Sequence, residues 1–104
     1  MIQLKQEQLN EAMVTEGKKL IVFSAEWCGP CKVLKPNLEN AEETLEGKVE
    51  MIKADISENA DSTKEFGIRN IPTCVLVENG KEIARFHGVK SSEDIKKFLE
   101  EHTN

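Results

Sequence analysis

The chain has 104 residues, 38% of them hydrophobic and 32% charged, with a net charge of −5 at pH 7. This length suits one globular domain over residues 1–104 with one core, and the acid excess lacks the basic footprint of a general nucleic-acid binder. Apolar residues never run long enough to span a membrane, and three cysteines are too few, and odd in number, for a disulfide scaffold.

In chain order, Met1-Ile2-Gln3-Leu4-Lys5 lacks a basic segment followed by an apolar block, so a cytoplasmic location is expected. A short first strand falls at Ile2–Leu4. Gln6–Glu16 sets Leu9, Ala12 and Met13 on one helical face, with Gly17 as terminator. A strand follows at 19–24, containing the unbroken apolar run Leu20-Ile21-Val22-Phe23. The helix from Cys28 to about Glu46 presents Leu34, Leu38, Ala41 and Leu45, ends near Gly47, and is expected to kink at Pro36. Val49–Ala54 reads as the next strand, and Ser57 as the N-cap of a polar helix through Phe66, stopped by Gly67. Thr73–Val77 and Glu82–His87 flank Asn79-Gly80, a strong hairpin signal. Ser91-Ser92-Glu93-Asp94 resembles a capping box and opens a last helix with Ile95, Phe98 and Leu99 facing inward. The order β-α-β-α-β-α-β-β-α predicts an α/β domain. Its crossovers are parallel, and a final hairpin makes the sheet mixed.

Trp27-Cys28-Gly29-Pro30-Cys31 carries the chemistry. A thiol at a helix N-terminus faces unpaired N–H groups and the positive end of the macrodipole, which favour the thiolate that attacks disulfides. Cys31, one turn later, is placed to attack a mixed disulfide and expel the substrate thiol. Zinc and iron–sulfur sites use the same spacing but need four ligands, and the remaining Cys74, His87 and His102 form no second pair. A structural disulfide closing so short a loop staples nothing distant.

The pentapeptide, together with Lys32, Pro36, Gly67-Ile68-Arg69-Asn70-Ile71-Pro72-Thr73, Asn79-Gly80 and Gly88, resembles the thioredoxin family nearly end to end. That resemblance implies the thioredoxin fold, a central mixed sheet flanked by helices on both faces. It also implies a general protein-disulfide reductase and electron carrier that cycles between dithiol and disulfide. No cofactor or metal is expected to be bound. Electrons would come indirectly from NADPH through a thioredoxin reductase, and the partners would be that reductase and disulfide-containing clients of a monomeric protein. By position, Cys28 is the attacking thiol, Cys31 the resolving thiol, and Pro72 a cis proline facing the pair. The resemblance places Trp27, Gly29, Pro30, Ile56, Ile71, Thr73, Gly88 and Val89 on the client-docking surface, where the backbone flanking Pro72 would pair with a client strand. An oxidant or isomerase of an oxidising compartment is a rival within the fold, and the Gly-Pro dipeptide and absent leader count against it. A non-catalytic binding module is a second rival, and the two intact thiols count against that.

Two positions depart from the family's pattern. Val22 stands where the family has an acidic residue six positions before the first cysteine, the residue thought to accept the Cys31 proton. Lys53, which matches that acid's lysine partner, therefore loses its counterpart and can snorkel. Asp55, Glu26 or water remain as substitute bases, with Glu26 the more exposed choice. Ser24 stands where the family often has an aromatic, leaving Trp27 as the sole tryptophan. Cys74 reads as a buried small hydrophobe, His87 as a surface residue beside the docking face, and His102 as a complement to the last helix dipole.

Overall fold

The computed structural model describes residues 1–45 and 47–102. Its elements are β1 (Ile2–Gln3), α1 (Gln6–Met13), β2 (Lys18–Ser24), α2 (Gly29–Leu45), β3 (Val49–Asp55), α3 (Ala60–Glu65), β4 (Thr73–Glu78), β5 (Lys81–His87) and α4 (Ser92–His102). The strands form one five-stranded sheet in the order β1-β3-β2-β4-β5. β3 runs parallel to β1 and β2, while β4 runs antiparallel to β2 and β5. The mixed sheet and the element order are those expected from the sequence.

The apolar run of β2 is continuous because both faces of the strand are covered. Leu20 and Val22 point to one face with Met51, Cys74, Leu76, Leu34, Leu38, Ile95 and Leu99. Ile21 and Phe23 point to the other face with Leu9, Ile52, Ala54, Val75 and Val77. α2 and α4 therefore close the first face, and α1 and α3 the second. Burying each of these large side chains stabilises the fold by about 1.5–3 kcal/mol before entropy is counted.

Several boundaries differ from those expected. α1 stops at Met13, because the Thr15 N–H and hydroxyl both donate to the Ala12 carbonyl and turn the chain before Gly17. Ser57 does not cap α3. Its N–H and hydroxyl donate to Asp55 Oδ1, and Asn59 takes the N-cap position instead. The buried Asn59 side-chain amide donates to the carbonyls of Leu4 and Asp55, both at 3.0 Å, and so ties the end of β3 to the chain leaving β1. α2 is described from Gly29 to Leu45 and continues through Pro36; its expected end at Glu46 lies outside the described residues. Asn79 and Gly80 adopt φ of 52° and 82°, the paired left-handed geometry of a tight hairpin turn. The Ser91 hydroxyl accepts the Asp94 N–H at 3.1 Å, capping α4 as its sequence predicts.

Candidate functional site

The carboxyl end of β2 delivers the chain to the site. Ser24 is the last residue of the strand, its carbonyl accepts the Ile56 N–H at 2.9 Å, and residues 25–28 turn into α2. Cys28 and Cys31 are joined as a disulfide, with Cα atoms 5.3 Å apart. The Cys31 backbone N–H donates to Cys28 Sγ at 3.2 Å. This amide belongs to the first turn of α2, where N–H groups have no helical partner. A donor so placed stabilises sulfur more as it gains negative charge. Cys28 is 5% exposed and Cys31 is the more exposed of the two, so exposure and electrostatics favour different sulfurs.

Two loops converge on the pair. The Ile71–Pro72 peptide bond is cis, and Cys28 Sγ lies 3.9 Å from the Ile71 carbonyl oxygen. The Gly88 N–H donates to the Pro72 carbonyl at 2.9 Å, and Asn37 of α2 donates to the Lys90 carbonyl at 2.9 Å. Gly88 has φ of 77°, a left-handed conformation that suits glycine and lets the chain turn beside Pro72. Around this junction Trp27 is 76% exposed, Gly29, Pro30 and Val89 are exposed, and Ile56, Ile71 and Gly88 are half-buried. An exposed tryptophan beside further apolar groups is the composition of an interaction surface.

Thr73 stands apart from that surface. It is fully buried, with backbone partners Phe23 on β2 and His87 on β5, so Ile71 is the residue beside Pro72 that faces the disulfide. The Thr73 hydroxyl donates to the Asn70 carbonyl at 2.6 Å and lies 2.9 Å from His87 Nδ1. The hydroxyl's one proton is committed to Asn70, so His87 Nδ1 carries a proton and donates to it. This Asn70–Thr73–His87 chain braces the turn before β4. It joins residues 14 apart in sequence across a hairpin, and only the register of that hairpin exposes it.

Behind the pair is a cavity of about 420 Å³ lined by Val22, Ser24, Cys31, Lys53 and Pro72 among others. Val22 pairs in register with Lys53 on one side and Cys74 on the other. Lys53 is half-buried at the cavity wall, as a snorkelling side chain would be. Asp55 lies elsewhere, in a groove with Trp27, Ser57 and Glu58, its carboxylate bound to Ser57. Glu26 is exposed and borders both spaces. Cys74 has no exposed surface, and burial pushes its thiol well above the ordinary range, so it stays protonated near neutral pH. His102 Nδ1 lies 2.7 Å from the Phe98 carbonyl in the last turn of α4, where it complements the helix end.

No group of metal-ligating side chains occurs among the described residues, and no described helix is long and apolar enough to cross a membrane. A sequence model of the thioredoxin family matches residues 1–101. A thioredoxin of Rickettsia conorii is 43% identical over 72 residues, covering 69% of each chain. A thioredoxin of Staphylococcus aureus is 32% identical over 92 residues, covering 88% of each. The mitochondrial thioredoxin of Mus musculus is 36% identical over 85 residues, which are 82% of this chain but 51% of the mouse protein. With that match over nearly its whole length, and with two cysteines at disulfide distance at the start of α2, the chain belongs to the thioredoxin family of protein-disulfide oxidoreductases.

Proposed function

We propose that this chain works as a monomeric, single-domain general protein-disulfide reductase and electron carrier of the cytoplasm. In the reduced protein Cys28 attacks a client disulfide, one client sulfur leaves as a thiol, and a mixed disulfide remains. Cys31 then attacks Cys28, releasing the second client thiol and leaving the Cys28–Cys31 disulfide. Two electrons pass to the client in each turn, and a thioredoxin reductase restores the dithiol with electrons from NADPH. The chain itself holds no cofactor.

The observation that carries this reading is the Cys31 N–H bond to Cys28 Sγ, a fixed donor for the attacking thiolate. Clients would dock on Trp27, Gly29, Pro30, Ile56, Ile71, Gly88 and Val89, with the cis Pro72 turn positioning the client disulfide. Thr73 serves this surface indirectly, as the buried brace of the Pro72 turn. Lys53 contributes charge to the cavity beside Cys31 and has no carboxylate partner across the ladder.

A coupled assay tests the proposal: NADPH oxidation in the presence of a thioredoxin reductase, this chain and a disulfide-bonded protein. Turnover should require all three components and vanish when Cys28 and Cys31 are both replaced by serine. Absence of turnover with the unmodified chain, together with client binding that survives the double replacement, would identify a non-catalytic binding module instead.

A further inference from the structure

The cavity beside Cys31 has an unusual lining. Its apolar lining residues are Met1, Val22, Ala25, Leu38 and Pro72, and its charged side chains are Lys32, Lys35, Lys53 and Glu26. Three cations thus face one carboxylate. Among the described residues none of the three lysines is within ion-pair distance of an acidic group, whereas the amine of Met1, which also lines the cavity, is paired with Glu42. Ser24 is 3% exposed, and its Oγ has no hydrogen-bond partner among the described residues, an unsatisfied polar atom in the wall.

The two positions that depart from the family's pattern meet here. An acid at Val22 would place negative charge on the cavity floor, and an aromatic at Ser24 would fill its volume. Valine and serine leave instead an uncharged floor to an open space of about 420 Å³, within the roughly 300–1,000 Å³ of small-molecule sites. The lining shares Pro72 with the proposed client surface but includes none of Trp27, Ile56, Ile71 or Val89. An occupant would therefore sit against Cys31 without covering that face.

From these features we infer that the cavity is a binding site for a small organic monoanion with an apolar body, of which a medium-chain monocarboxylate is the simplest representative. The alkyl body lies over Val22, Ala25, Leu38 and Pro72, and the carboxylate meets the lysine rim, chiefly Lys53 and Lys35. The site is a binding site only, and its existence does not depend on the roles proposed for the two cysteines.

Octanoate, octylammonium and octanol share a chain length and differ in charge, so they separate an anion site from a merely apolar one. Each is titrated into the oxidised protein at low salt while backbone amide shifts are followed by NMR. Octanoate should give saturable shifts at Val22, Ala25, Lys53 and Leu38, with octanol weaker and octylammonium absent from the site. Lys35→Gln combined with Lys53→Gln should weaken octanoate about tenfold or more and leave octanol unchanged. Ser24→Phe should abolish binding by filling the space, and V22D should weaken octanoate selectively. The lysine variants alter exposed or half-buried positions, so they remain decisive if either core variant fails to fold. The inference is overturned if octanoate shifts do not saturate, if octylammonium binds as well, or if the shifts centre on Trp27 and Val89.

Discussion

Val22→Asp probes the consequence of a missing buried acid most sharply. Val22 is 3% exposed, belongs to the core under α2 and α4, and lies between Lys53 and Cys74 in the ladder. Removing its apolar burial costs about 1.5 kcal/mol, and placing a polar group there costs about 1–3 kcal/mol more. Lys53 across the ladder and the adjoining cavity offset part of this, so a net loss of about 2–4 kcal/mol is expected. The sign of the pH dependence follows from burial, which raises the introduced carboxyl's pKa above its unfolded value. Its ionisation is then disfavoured in the folded state, so the deficit against the parent should widen as pH rises from about 5 to 8. The same carboxylate would lie beside Cys31 and could take its proton. A positioned base is typically worth about 10²-fold, and that sets the upper bound on the gain expected here. Urea melts at several pH values, paired with single-turnover release of client from the mixed disulfide, measure both effects. A deficit that is absent, or unchanged between pH 5 and 8, would refute the burial of position 22.

Asp55→Ala removes the acceptor of two Ser57 bonds and should cost about 1–3 kcal/mol in denaturant melts, yet leave mixed-disulfide resolution unchanged because Asp55 is not among the residues lining the Cys31 cavity. In reduced native protein, mass-mapped alkylation should leave Cys74 unmodified until denaturant is added, and Cys74→Ser should destabilise by about 1–3 kcal/mol by placing a hydroxyl among Val22, Leu76 and Phe86. Arg85 pairs with Glu82 and also donates to the Phe66 carbonyl at 2.8 Å, so Arg85→Ala should cost more than Glu82→Gln, which loses only a partly exposed pair worth up to about 1 kcal/mol. The Arg85 guanidinium holds the Glu82 carboxyl below its ordinary range, so that pair's contribution is present above the usual carboxylate pKa and disappears as pH falls through the lowered one; the acid limb of a stability profile should flatten slightly in Glu82→Gln.

Much of the fold was legible because its signals are local. The Leu20–Phe23 run, the Asn79-Gly80 turn and the α4 cap each act within a few residues, and each appears where the sequence placed it. The boundaries that moved were decided by competition. Asp55 took Ser57 away from α3, and Asn59, whose side chain reaches back to Leu4, started the helix instead. The Cys28–Cys31 pair was equally plain, since both residues lie on one helical turn. Thr73 was not: its burial depends on β2 and β5 closing on it from both sides, a fact of register. The cavity was hidden for the same reason. Val22 and Ser24 were visible as departures, but their meeting with Lys53 and Cys31 needs β2, β3 and α2 assembled.

The division of labour between the two cysteines is central to the proposed function, and trapping tests it most directly. Cys31→Ser and Cys28→Ser variants, reduced and mixed with a disulfide-bonded client, are quenched with acid over time and scored for covalent adducts. Cys31→Ser should accumulate a long-lived adduct through Cys28, because the α2 amide favours that thiolate and no resolving thiol remains. Cys28→Ser should form adducts far more slowly. Equal or faster trapping by Cys28→Ser would contradict these roles and make the more exposed, cavity-facing Cys31 the attacking thiol.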